Sequence, residues 1–323
     1  MPHGRATGVG LGLAVVSAFT FATSGTFARS LIAAGWSAEA AVAARVGIAA
    51  LILAAPAVWS LRGKWSVLRR NLRTVGLFGL LAVAGAQVGF FNAVRYLPIG
   101  VALLLEFFGI VLVVGWMWVV HRQRPSRLTL AGAVGAVAGL LFVLDLSGSA
   151  GFHPVGVLWG LVAAVGLAGY FVLSARSDPD LPPVVLATGG MGVGALALLL
   201  CGLIGLLPLR ATFGDVEFAG RVMSWLVPVA GLCLVAAVVA YVAGIGAARM
   251  LGPRLASFVG LTEVVFAFLI AWLVVSEVPT PRQLVGGALI VLGVALVRLG
   301  EARAADPQSQ AAPAEPVLAA DER

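Results

Sequence analysis

Three ionisable side chains, Arg45, Glu106 and Glu263, lie well inside apolar stretches of the sequence. An isolated charge in a low dielectric is costly, so such groups face a water-filled cavity, pair with one another or mark a path for ions and substrate. At about 1.5 Å of helical rise per residue, Arg45 and Glu106 fall roughly 10 and 12 Å from one face of their apolar stretches. They can therefore meet as an ion pair, either a permanent strut between two helices or part of a site that changes state. Glu263 falls roughly 15 Å from the opposite face, the midplane of an apolar layer about 30 Å thick. A carboxyl there has its charged form disfavoured. It reads either as a protonated group bonded to nearby backbone or as a proton carrier.

Neutral polar groups surround these three in the sequence. Ser17, Thr20, Thr23, Ser24 and Thr26 crowd the first apolar stretch around Gly25, and Gln87 and Asn92 sit in the third. Hydroxyls of this kind satisfy backbone groups freed where a membrane helix breaks, or they serve ordinary helix packing. Gln87 and Asn92 either line a cavity or bond between helices. Asp145 and Glu277, at the ends of apolar stretches, read as solvated. The sequence has no H-E-x-x-H, no G-x-S-G and no phosphate-binding loop, and its single lysine is Lys64. Three histidines and two cysteines, Cys201 and Cys233, form no ligand cluster, so neither a cofactor nor a metal is expected.

The elements that must hold these residues are set by composition. Of 323 residues 61% are hydrophobic and 11% charged, whereas a soluble domain carries about 25% charged residues. A soluble enzyme is ruled out. Ten apolar windows follow, at 8–34, 38–61, 74–95, 98–121, 128–146, 155–175, 184–207, 225–248, 253–275 and 283–297. Most have the length of a membrane-crossing helix, and open strands are excluded where no water pairs the backbone. The reading is an all-α polytopic membrane protein. Arg5 ahead of the first window resembles a signal peptide, but a first helix is the stronger reading. The net charge of +7 resides in short connections and marks topology rather than a nucleic-acid partner. With both termini in the cytoplasm, fifteen Lys and Arg fall inside and five outside, which places the chain in the cytoplasmic membrane with that orientation. Trp36, Trp59, Trp225 and Trp272 read as an interfacial aromatic belt. The basic run Arg62, Lys64, Arg69, Arg70 and Arg73 fits topology and also contact with anionic lipid. Residues 301–323 read as a disordered tail.

The chain also repeats itself. An offset of 154 residues aligns Pro125-Ser126 with Pro279-Thr280, Leu130 with Leu284, Gly132 with Gly286 and Gly139 with Gly293. Arg95 with Arg249, Ala93 with Ala247 and Ala102 with Ala256 fall on the same offset. Two units of five helices, 8–146 and 155–300, result, and an odd number of crossings per unit forces the second copy upside down.

In the second half, Leu261-Thr262-Glu263-Val264-Val265, Ala271-Trp272, Ser276-Glu277, Pro279-Thr280, Gln283, Gly286 and Gly293 resemble the EamA-type branch of the drug/metabolite transporter superfamily. Val264 stands where that family has Pro, and Ser276 where it has Gly. In the first half, Ala93-Val94-Arg95, Pro98, Gly100-Val101-Ala102, Leu105-Glu106-Phe107 and Gly109 are similar to its threonine/homoserine exporter subgroup. Arg45 and the stretch from Tyr170 to Arg176 match the family pattern as well. The resemblance implies ten helices in two inverted five-helix repeats, a central cavity and export of small metabolites. The functional expectation is a secondary transporter exporting a small amino-acid-like metabolite by alternating access. Its candidate substrate or coupling residues are Glu263, Glu106, Arg45, Gln87, Asn92, Thr23, Ser24 and Thr262. The expected partners are the substrate, membrane lipid and a coupling proton. Export of drugs or other metabolites in the same fold, a membrane enzyme and a channel are the alternatives. The enzyme has no nucleophile, base or metal set to work with, and the channel no ring of charge or filter loop.

Overall fold

A computed structural model describes residues 2–122, 125–144, 153–175, 178 and 180–304. The chain enters through α1 (Pro2–Ala22) and α2 (Ser24–Ala33), one helix broken at Thr23, and turns into α3 (Ala38–Ser60). Next come α4 (Trp65–Leu77), a π-helical segment π1 (Phe78–Gly85) and α5 (Ala86–Val94), three parts of one rod. A break at Phe108 separates α6 (Ile99–Phe107) from α7 (Gly109–His121), and α8 (Arg127–Leu144) closes the first half. The second half holds α9 (Pro154–Ala175), α10 (Pro183–Leu203), the strands β1 (Asp215–Phe218) and β2 (Arg221–Ser224), and α11 (Leu226–Ala230). It continues through π2 (Gly231–Val239), α12 (Ala240–Gly260), α13 (Thr262–Val275) and α14 (Pro281–Ala304).

Large apolar side chains point away from the protein on most helices: Leu51, Val119, Leu203 and Leu273 are each more than three-quarters exposed. In water such a surface would aggregate, so it is a surface for lipid. Five helical stretches are long and apolar enough to cross a bilayer: Gly8–Ala33, Ala38–Ser60, Trp65–Val94, Pro183–Leu203 and Leu226–Ala247. Five further apolar stretches, Ile99–Leu112, Arg127–Val143, Pro154–Tyr170, Thr262–Val275 and Pro281–Val297, are shorter among the described residues.

The offset of 154 reappears as geometry. Residues 231–239 of π2 map onto 77–85, which is π1 to within a residue, and the start of α12 maps onto the start of α5. The breaks at Phe108 and Leu261 also correspond to within a residue, each carrying a backbone bond of the tighter i to i+3 type, from Val111 N to Phe108 O and from Val264 N to Leu261 O. The starts of α8 and α14 are equivalent and similarly capped. Ser126 Oγ accepts from Thr129 N at 3.1 Å, and Thr280 Oγ1 accepts from Gln283 N at 3.3 Å, with Gln283 Oε1 accepting Thr280 N in return. α8 and α14 run antiparallel, and their equivalent glycines cross over. A Cβ on Gly132 would sit 2.5 Å from Gly293 O, and one on Gly139 would sit 2.7 Å from Gly286 O. Contacts of the form i with j′ and j with i′ are those of a twofold axis, here a pseudo-twofold between the halves. The pairing of α1 with α12 is matched by that of α9 with α5.

Several expectations are corrected. The helix of the third apolar window starts at Trp65 rather than near residue 74, because α4 buries Val67, Asn71 and Val75 while exposing Arg69, Arg70 and Arg73. Asn71 donates to Asp178 at 3.2 Å. The Asp178 carboxyl is held below the usual carboxylate range, first by the Asp180 backbone N–H, then by Asn71. The expected loop near Pro253 is absent, since α12 continues to Gly260, proline being tolerated within membrane helices. The structure is not wholly helical. β1 and β2 pair antiparallel, from Asp215 with Ser224 to Phe218 with Arg221, outside the apolar windows. Ala219 and Gly220, at φ 54° and 69°, form their two-residue turn. Trp36 does not belong to a lipid-facing belt. It is buried, donates Nε1–H to Thr212 O at 2.7 Å, and packs with Phe213 and Trp225. Asp145 and residues 305–323 lie outside the described residues, and α14 continues to Ala304.

Candidate functional site

Arg45 is the hub. It stands on α3 with 3% of its surface exposed, and its guanidinium reaches three other elements. Nη1 donates to Ser24 Oγ on α2 at 2.8 Å and to Gln87 Oε1 on α5. Nη2 donates to the backbone oxygen of Ala236 at 2.8 Å. Ala236 lies in π2, where i to i+5 bonding disturbs the regular ladder; such segments gather at functional sites. The Phe91 ring lies 5.9 Å from the guanidinium carbon. A planar fork with five donors suits this task better than a point charge.

Two carboxyls flank the equivalent helix breaks. Glu106 lies two residues before Phe108, and Glu263 two residues after Leu261. Glu106 is buried and Glu263 half-buried. Both lie within electrostatic reach of Arg45 and of each other. Arg45 and Glu106 do not, however, form the direct ion pair expected from their depths. The guanidinium is taken up by neutral acceptors, and neither carboxyl has a hydrogen-bond or ion-pair partner among the described residues.

Tyr241 completes the cluster and had no place in the sequence reading. It lies within electrostatic reach of Arg45, Glu106 and Glu263, and its ring meets Phe21 edge-on at 5.0 Å. The signal was present, because the offset that reveals the repeat maps Tyr241 onto Gln87. Both residues follow a π-helical segment, and both approach Arg45.

The other sequence candidates lie apart from this cluster or turn back on their own helices. Asn92 donates to Glu39 Oε1 at 3.0 Å and to Val88 O, so it is an interhelical tie between α5 and α3. Thr23 donates to Thr20 O at 2.6 Å, and Thr20 to Val16 O at 2.7 Å. Thr262 donates to Val259 O at 2.6 Å. Ser17, further along α1, donates to Ala240 O at 2.8 Å and joins α1 to α12. Glu277 is not simply solvated. It pairs with Arg29 at 2.7 Å, with its side chain only 18% exposed. Among the described residues no three His, Cys, Asp or Glu could together hold a metal ion. Chemically, the cluster offers one fixed cation and two carboxyls free to bind or release a proton or a polar solute.

These features define a class: a polytopic helical membrane protein with polar groups gathered between two related halves. The sequence profile of the EamA-like transporter family matches residues 8–145 and 154–299, and the chain belongs to that family. A protein of Archaeoglobus fulgidus described as an uncharacterized transporter is 27% identical over 225 residues, which is 70% of this chain and 75% of that protein. The crystal structure of another protein superposes with a TM-score of 0.57 at 22% identity. The match covers 94% of this chain and 99% of that one, and it shows a shared fold. The family and the relative make this a transporter of the drug/metabolite superfamily.

Proposed function

We propose that the protein exports a small polar, amino-acid-like metabolite from the cytoplasm by alternating access, with a proton as the coupling ion and Glu263 as its carrier. The observation that carries this reading is the cluster of Arg45, Glu106, Glu263 and Tyr241 between the halves, with its two carboxyls beside equivalent helix breaks. Broken helices that expose backbone and charge at mid-depth are where transporters of repeated architecture hold solute and ion. The five long and five shorter apolar stretches are read as ten crossings. The antiparallel crossing of α8 and α14 supports a second half inverted relative to the first. In this arrangement both termini are cytoplasmic, and the membrane is the cytoplasmic one.

The subgroup resemblance around Glu106 favours amino-acid-like solutes over drugs. A zwitterion suits a cluster that brings together a guanidinium and two carboxyls. The test compares metabolite efflux from cells with and without the protein. The proposal expects one class of small polar metabolite to leave faster when the protein is present. Changed conversion of a metabolite with unchanged efflux would contradict it and indicate an enzyme.

A further inference from the structure

α2 is tethered at both ends in different ways. At its start, the helix breaks at Thr23, where the hydroxyls of Thr20 and Thr23 bond back onto carbonyls of α1, an arrangement that bends helices. Toward its far end, Arg29 forms a two-pronged contact. Nη1 pairs with Glu277 Oε1 at 2.7 Å, and Nη2 donates to Leu97 O at 2.6 Å. Glu277 in turn accepts the backbone N–H of Ile99 at 2.9 Å through Oε2. Two residues thus tie together α2, the entry to α6 and the connection between α13 and α14, and these segments come from both halves of the chain.

Between its ends α2 is wedged. Gly25 passes against Ile99, and Phe27 stacks on Phe218 of the hairpin at 5.1 Å. The fit is incomplete, because Thr26 Oγ1 and Arg29 Nε are buried without a partner among the described residues. Such unsatisfied groups oppose closure, and an ion pair that is partly exposed, at 32% and 18%, is one that water can separate. At its inner end, next to the break, the same helix presents Ser24 to Arg45, so the hinge of α2 adjoins the hub.

From this we infer that α2 is the gate over the outer end of the polar cluster, hinged at Thr23 and latched shut by Arg29 and Glu277. The inference rests on the transporter reading above for its purpose, but its test does not depend on transport. Thr26 is fully buried on α2, and Thr26→Cys, with Cys201 and Cys233 both changed to Ser, provides a reporter of opening. The rate at which a membrane-impermeant maleimide labels it from outside intact cells is measured alongside a Ser126→Cys reporter in inverted vesicles.

Glu277→Gln and Arg29→Gln should each raise the rate at Thr26→Cys at least tenfold while leaving Ser126→Cys unchanged. The exchanged pair Arg29→Glu with Glu277→Arg should return it toward the parent rate. Unchanged labelling in both single variants overturns the gate, as does an equal rise at both reporters, which would mean general loosening. A protein that transports with labelling unchanged loses the gate and keeps the transporter reading. One whose labelling responds but which moves no solute keeps the gate and loses the transporter reading.

Discussion

At the scale of single residues, Arg45 is held by geometry more than by charge. Its acceptors are a hydroxyl, an amide and a backbone carbonyl on three elements. Arg45→Lys keeps the charge but cannot span all three, leaving at least one buried acceptor unsatisfied at about 1–3 kcal/mol; the thermal midpoint of the detergent-solubilised protein should fall. A double-mutant cycle of Arg45→Gln with Gln87→Leu should show a coupling of about 1 kcal/mol or more, larger than the cycle of Arg45→Gln with Glu106→Gln. The reverse order would restore the direct ion pair. Ser276 explains one departure from the family pattern. It closes α13 in the left-handed region, at φ 58° and ψ 26°, a conformation that costs an L residue roughly 1–2 kcal/mol. Ser276→Gly should therefore stabilise by about 1 kcal/mol, seen as a raised thermal midpoint. The intramembrane charges were legible because burying them needs a reason. Their partners were not, because depth along a helix says nothing about which face a side chain takes.

At the scale of elements, the glycines of α8 and α14 were visible as an aligned pattern, and the structure turns them into a crossing. Gly132→Ala and Gly293→Ala would each push a methyl against backbone, an overpacking that costs about 1–3 kcal/mol. Gly135→Ala, whose methyl would meet nothing nearer than 3.9 Å, should leave the thermal midpoint unchanged. Equal losses at all three positions would contradict the crossing. The π-helical segments were hidden because a run such as Gly231–Val239 is as apolar as any ordinary membrane helix; nothing in residue type marks one extra residue per turn. The hairpin was hidden for a different reason. It lies between two apolar windows, where hydropathy carries no signal, and only Ala219-Gly220, with the small, permissive residues that a tight turn demands, marks it.

At the scale of the whole molecule, composition and the offset of 154 made the class of architecture legible, since apolar length and repetition are properties of the chain. The proposed topology places the connection after the first unit outside and the one before α8 inside. Cysteine at Ser149 should react with an impermeant thiol reagent in intact cells, and cysteine at Ser126 only after the cytoplasmic face is opened. Labelling of Ser126→Cys in intact cells would invert the topology. The proposed role of Glu263 as carrier of the coupling proton is isolated by Glu263→Gln, which keeps the shape and hydrogen bonding of the neutral acid while removing the proton it can release. The decisive measurement is solute uptake into inverted vesicles, equivalent to export from the cell, with and without an imposed pH gradient. Glu263→Gln should still bind solute but gain nothing from the gradient. Gradient-driven uptake at the wild-type rate would contradict it.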